Sequence, residues 1–234
     1  MNSIPYGKHN ITQDDIIAFV NVLKSEFLTQ GPKVKQFEEK FAEYVDAKYA
    51  VAVSNGTAAL HLSALSLFKP GDKVLTTPIT FVATANCILY CGGEVDFVDI
   101  DPKTYLIDLN KLEDKLHSVP KGTYKGIIPV DFAGNPVNVE QFRQLARQND
   151  LWIIEDASHS PGGYFIDSNN QHQYCGNGNY ADLAIFSFHP VKHIAAGEGG
   201  MITTNNESLY QKLKLLRTHG ITKDPDSLLE NHDE

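Results

Sequence analysis

From residue 49 onward the sequence alternates short apolar runs with longer amphipathic stretches, and this rhythm restricts the fold more than any other feature. The runs at 49–53, 73–77, 94–98, 126–131 and 152–156 are bounded by turn residues and read as strands. The stretches at 58–67, 81–91, 110–116 and 139–149 carry helical periodicity and separate them. Near-continuous apolar strands must be covered on both faces. The pattern therefore predicts an α/β fold with a mostly parallel sheet and helices on either side. Two more strands, at 183–187 and 200–203, bring the predicted sheet to seven.

The flanks are simpler. A helix is expected over 10–25, entered at Thr12 or Gln13, with Asp14 and Asp15 in its first turn and Ile16, Val20 and Leu23 along one packing face. A second is expected over 33–45, with Phe37, Phe41, Tyr44 and Val45 on its apolar side, after a turn at 27–32. Residues 164–180 read as a surface hairpin or loop, and 207–218 as a helix. The chain then divides into an N-terminal segment 1–32, a body 33–220 and an acidic, aperiodic tail 221–234, with no internal repeat.

Net charge is −9 over 234 residues, and no run of Lys or Arg forms a basic stripe, so a nucleic-acid partner is not expected. Cys87, Cys91 and Cys175 are an odd set without metal-ligand spacing, which reads as buried free thiols and no metal. The N-terminus has no secretory pattern and no apolar run is long enough to span a bilayer, so the expectation is a cytoplasmic protein without a membrane partner.

Ligands of open α/β sheets bind beyond the carboxyl ends of the strands. Asp156 closes one predicted strand, and Lys192 follows another on a turn bounded by Gly197, Gly199 and Gly200. A lysine amine and a buried carboxylate are the pair required by pyridoxal phosphate. The amine holds the aldehyde as a Schiff base, and the carboxylate keeps the ring nitrogen protonated. Phe186, Phe188, Pro190 and Val191 would supply the apolar surroundings that depress a lysine pKa. The competing readings are a helix cap for Asp156 and a surface lysine for Lys192.

The junction Ser54-Asn55-Gly56-Thr57 opens a helix after a strand, where free backbone N–H groups suit a phosphate, with Gly56 and Thr57 as donors; a plain cap by Ser54 or Asn55 is the alternative. Ser187 offers a further hydroxyl. His159 could reach or stack on a flat ring or serve only as a packing or capping residue, and Phe81 could stack on the ring or pack in the core. Glu155 should face away from Asp156.

Taken in order, these pieces resemble one family. They are Val53-Ser54-Asn55-Gly56-Thr57-Ala58-Ala59-Leu60, Thr80-Phe81, Glu155-Asp156-Ala157-Ser158-His159, Ser187-Phe188-His189-Pro190-Val191-Lys192 and Gly197-Glu198-Gly199-Gly200. Together they look like the pyridoxal phosphate-dependent nucleotide-sugar aminotransferases of the DegT/StrS type. The resemblance implies a fold type I large domain over 33–220. It also implies Lys192 as the catalytic lysine, Gly56, Thr57 and Ser187 on the cofactor phosphate, Asp156 on the ring nitrogen, and Phe81 and His159 flanking the ring.

Within the family, Ile4-Pro5-Tyr6-Gly7 and Phe27-Leu28-Thr29-Gln30-Gly31-Pro32 are most similar to members of pseudaminic acid biosynthesis. This implies L-glutamate as donor, C4 of a UDP-linked 4-keto-6-deoxy-N-acetylhexosamine as acceptor, a homodimer, and Tyr6, Glu26, Phe27, Leu28 and Thr29 facing the sugar. A GDP- or dTDP-linked keto sugar and a non-catalytic remnant are the alternatives. A dehydratase of the same fold is disfavoured because those enzymes carry histidine where this chain has Lys192. Family members also have a small C-terminal domain and, past the equivalent of Arg217 to Gly220, an Asn that reaches the neighbouring subunit's cofactor. Neither lies in this sequence, which is therefore expected to be a fragment.

Overall fold

The structure, a computed structural model, describes residues 5, 7 and 9–222. Its first helix, α1 (Gln13–Leu23), begins with a reciprocal cap: Thr12 accepts from the Asp15 N–H, and the Asp15 carboxylate accepts from the Thr12 N–H. The expected packing face is not used. Ile16, Val20 and Leu23 are all exposed, and α1 buries no residue. Caps and helical hydrogen bonds are local, whereas packing needs a facing surface, and the described residues offer none to that stripe. Helix α2 (Pro32–Val45) does pack. Pro32 starts it, Asp46 ends it in the left-handed region at φ 60°, and Phe41, Ala42 and Val45 are buried.

The strands are β1 (Tyr49–Val53), β2 (Lys73–Thr76), β3 (Glu94–Phe97), β4 (Tyr124–Ile128), β5 (Trp152–Asp156), β8 (Leu183–Ser187) and β9 (Gly200–Thr204), in spatial order β1-β9-β8-β5-β4-β2-β3. Pairs from β3 through to β8 are parallel; β9 runs antiparallel to both β8 and β1. The strand expected over 126–131 begins two residues earlier and ends three residues earlier. Pro129 has no N–H to continue the ladder, and beyond it Val130 makes only an isolated bridge to Asp156. The segment expected as hairpin or loop contains a small hairpin, β6 (Tyr164–Ile166) against β7 (His172–Tyr174).

Helices α3 (Gly56–Leu67), α4 (Ala83–Tyr90) and α7 (Glu207–Arg217) lie on one face, and α5 (Leu109–His117) and α6 (Val139–Asn149) on the other. Alternate strand residues feed the two layers. Val74, Ile128 and Ile154 pack with Leu60, Ile88 and Leu213, whereas their neighbours Leu75, Ile127 and Ile153 pack with Leu112, Phe142 and Ala146. A third cluster joins α2 to the β8–β9 end through Phe41, Phe186, Phe188 and Met201. Glu38 of α2 accepts both from the Ala52 N–H and from Arg217 at the end of α7, tying these helices to β1. Among the described residues no helix is long and apolar enough to cross a membrane.

The middle of the sheet has one tight contact. Gly126 pairs with Trp152 across β4 and β5, and a Cβ at 126 would fall inside the indole, whose other neighbour is the Phe68 ring at 4.4 Å. Gly126→Ala should cost about 1–3 kcal/mol through overpacking. Urea denaturation checks this, and an unchanged midpoint would refute it.

Candidate active site

Asp156 is the last residue of β5 and pairs with Ile185 of β8, so Ser187 ends its strand two residues further along the same edge. The Asp156 carboxylate is buried, at 4% exposure. Its Oδ2 accepts from the Thr84 hydroxyl at 2.7 Å and its Oδ1 from the Ser158 N–H at 3.2 Å. No helix follows it, so the helix-cap reading falls away. Glu155 does face the other way, accepting from the Gly176 N–H.

The β1–α3 junction lies against β8 and β9. Asn55 is the cap, its Oδ1 accepting from Ala58 N–H at 2.8 Å; this leaves the Gly56 and Thr57 N–H groups in the first turn, beyond the reach of any intrahelical carbonyl. A Cβ on Gly56 would sit 2.9 Å from the Ser187 Cβ, and one on Gly200 would strike the Asn55 carbonyl. The two glycines thus bring the Ser187 hydroxyl and the helix N-terminus together as a backbone cradle for an anion.

Lys192 lies in the loop between β8 and β9. The loop is closed at its base by Phe188 N–H to Gly199 O and Ala196 N–H to Phe188 O, both at 2.9 Å, and Lys192 N–H donates to His189 O at 2.9 Å. The side chain is half-buried, not a free surface lysine. Burial pushes its pKa down, and the Asp156 charge works in the opposite direction. The expected source of that burial needs correction in part: Phe186 and Phe188 are committed to the aromatic cluster on Phe41, and Val191 is exposed.

His159 is half-buried, and its pKa is lowered first by burial and then by the Lys192 charge. Its Nδ1 accepts from the Ala133 N–H at 3.2 Å. Nδ1 is therefore unprotonated, and the neutral ring presents its proton on Nε2. Ala133 sits in a 3-10 turn at φ 54°, a backbone conformation that aims this N–H at the ring.

Not every expected residue joins this group. Phe81 precedes α4 at 68% exposure, which excludes the core-packing alternative. Glu26, Phe27, Leu28 and Thr29 are exposed on the turn before α2, and Tyr6 lies outside the described residues. Thr29 and Ser54 border an open groove of about 790 Å³ that Lys192, Asp156 and His159 do not line. Cys87 and Cys175 are buried as expected, but Cys91 is only half-buried. Sequence reasoning missed Thr84 and Ala133. Thr84 left a faint signal, a second threonine one helical turn after Thr80.

The donor set fits pyridoxal phosphate: a buried carboxylate without a cationic contact, a desolvated amine near it, and an anion cradle at the adjoining strand end. Comparisons with known proteins agree. Residues 9–232 match the DegT/DnrJ/EryC1/StrS aminotransferase family. A UDP-4-amino-4,6-dideoxy-N-acetyl-beta-L-altrosamine transaminase from Campylobacter jejuni is 45% identical over 223 residues, 94% of this chain and 56% of that protein. The structure of Helicobacter pylori PseC, an aminotransferase involved in the biosynthesis of pseudoaminic acid, superimposes with a TM-score of 0.83 at 34% identity, over 95% of this chain and 58% of that one. The PLP form of a putative sugar aminotransferase from Streptococcus pneumoniae gives 0.84 at 28% identity, over 95% and 60%. The chain spans about half the length of the curated relatives it matches.

Behind Asp156 lies a second acidic group. The oxygens of Asp131 and Glu155 and the Cys175 sulfur lie within 4.8 Å of one another, all buried. Asp131 accepts on both oxygens, from the Val137 N–H at 2.9 Å and the Ser160 hydroxyl at 2.5 Å, whereas Glu155 Oε1 has no donor. Two carboxyls this close cannot both ionise in a dry core. Both Asp131 oxygens already accept, whereas Glu155 Oε1 has no donor, so the proton belongs on Glu155. Burial first, and the Asp131 charge second, raise the Glu155 pKa well above its ordinary 4.5.

The folded state keeps a proton that the unfolded chain releases above its own carboxyl pKa. The stability from this pair is therefore whole below about pH 4.5 and lost as pH climbs toward the raised value. Glu155→Gln supplies the same donor and acceptor without titrating. It should match the wild type near pH 4.5 and melt about 3 °C or more above it at pH 8, the shift that about 1 kcal/mol produces at this chain length. Parallel melting curves across that range would refute the shared proton.

Proposed function

The chain belongs to the DegT/DnrJ/EryC1/StrS aminotransferase family, and from that premise we propose that it forms the cofactor-binding part of a pyridoxal phosphate-dependent transaminase. In this reading, body 33–220 binds the cofactor and segment 1–32 faces the substrate. The amino group passes from L-glutamate to C4 of a UDP-linked 4-keto-6-deoxy-N-acetylhexosamine, in pseudaminic acid biosynthesis, within a cytoplasmic homodimer. The observation that carries the reading is that Lys192, Asp156 and His159 interact electrostatically at the same sheet edge as Ser187, Gly56 and Thr57, beyond the carboxyl ends of β1, β5 and β8. The names of the Campylobacter and Helicobacter relatives support the substrate.

Bound at this site, the cofactor supplies an aldehyde that carries the amino group and a ring that takes up the electron pair of a broken C–H bond. The chain supplies the rest. Lys192 would hold the aldehyde, and its lowered pKa would leave more of the amine free to do so and to take up or return a proton. Asp156 accepts the N–H of the ring, which favours electron uptake. Ser187 and the Gly56 and Thr57 N–H groups hold the phosphate. His159 would offer its Nε2–H to the cofactor, and Phe81, exposed just before α4, would be available to stack on a flat ring.

Incubation with pyridoxal phosphate, borohydride reduction and peptide mapping should place the pyridoxyl label on Lys192. Lys192→Ala should remain folded and take no label. A label on Lys73 or Lys125 would overturn the assignment. Substrate class is tested in a protein that also carries the C-terminal region expected of the family, after loading with glutamate, by the return of the cofactor's absorbance on adding a keto sugar. A UDP-linked 4-keto sugar should act at least tenfold faster than its GDP- or dTDP-linked counterparts, a difference of about 1.4 kcal/mol in barrier; equal rates would remove the UDP assignment.

A further inference from the structure

We infer that Thr84 is a positioning residue for the cofactor's ring nitrogen, acting through Asp156; the inference rests on the cofactor reading above. Thr84 lies in the first turn of α4, fully buried, and is distant in sequence from Asp156. A threonine in a helix usually turns its hydroxyl back to a carbonyl of the preceding turn. Thr84 instead donates to Asp156 Oδ2 at 2.7 Å, and its oxygen meets the Thr80 hydroxyl at 2.9 Å.

The direction of this relay is fixed by proton counting. A carboxylate has no proton to give, so the Thr84 proton goes to Asp156, and the Thr84 oxygen must accept from Thr80. With Ser158 N–H on the other oxygen, at 3.2 Å, both Asp156 oxygens are held by donors from different elements. The carboxylate plane is locked, and each oxygen keeps a lone pair for one more donor. A ring N–H arriving from the cradle side would meet an acceptor already oriented for it, without the entropy cost of ordering the side chain. None of these donors carries a charge, so the group remains an anionic acceptor for one incoming N–H and has no cationic partner among the described residues.

The test uses the 234-residue chain, cofactor labelled with 15N at the ring nitrogen, and Thr84→Val, which keeps the shape and removes the hydroxyl. Two readouts are taken: the 15N shift, which reports whether the ring nitrogen holds its proton, and cofactor affinity by fluorescence titration. Thr84→Val should move the shift toward the unprotonated form and weaken affinity about tenfold, the equivalent of about 1.4 kcal/mol. Thr84→Ser should restore both. A folded Thr84→Val protein with wild-type shift and affinity would overturn the inference while leaving the cofactor reading intact. Failure of the wild type to take up cofactor would overturn both. Should Thr84→Val not fold, Thr80→Val, which removes only the outer donor, must shift the resonance in the same direction by a smaller amount. No shift there counts against the relay.

Discussion

Asp156 stands opposite Ile185 in the parallel ladder of β5 and β8, and the rest of the site takes its position from that register. It places Ser187 at the rim beside the β1–α3 junction and starts the loop that carries Lys192 one strand away from the Asp156 carboxylate. A slip of one residue would turn Asp156 to the opposite face and bring Glu155 to the α4 side. The apolar residues before Asp156 exclude that slip, because Ile153 and Ile154 are each committed to a different core layer.

Adjacent residues on β5 solve the same electrostatic problem by different means. Glu155 and Asp131 are both buried, close together and without an ion pair among the described residues, so one proton serves two carboxyls. Asp156 receives neutral donors, a hydroxyl and an amide, and keeps room for another. The first arrangement is closed and structural; the second is open toward the strand ends. The Asp131 group is not isolated from the site, because the turn that follows it carries the Ala133 N–H that sets the His159 tautomer.

Features set by local pattern were legible in the sequence. The seven strands, the layer helices and the strand-end positions of Asp156 and Ser187 all follow from apolar runs and turn residues. The place of Lys192 on a loop after β8 was legible from its neighbours in sequence, but the source of its burial was not. What was not legible depends on distant residues. Thr84 reaches a carboxylate on another element, Glu155 needs Asp131 to define its proton, and Phe186 and Phe188 look like a shield for Lys192 until α2 claims them. Helix α1 failed in the opposite sense: its periodicity is genuine, but periodicity does not say whether a facing surface exists.

The antiparallel strand β9 lies between β8 and β1, with Tyr49 opposite Thr204 and Val53 opposite Gly200. An early strand therefore has no partner until a late one has been made, and Glu38 similarly waits for Arg217. At ordinary translation speeds the interval is on the order of ten seconds. During it the nascent chain carries an unpaired β1 edge and an uncovered Phe41 face. Such long-range pairing slows folding and exposes the intermediate to aggregation. The junction at Asn55–Gly56, which has Gly200 packed against it, is completed only when β9 arrives, so an early turn takes its finished shape from a strand made about 145 residues later.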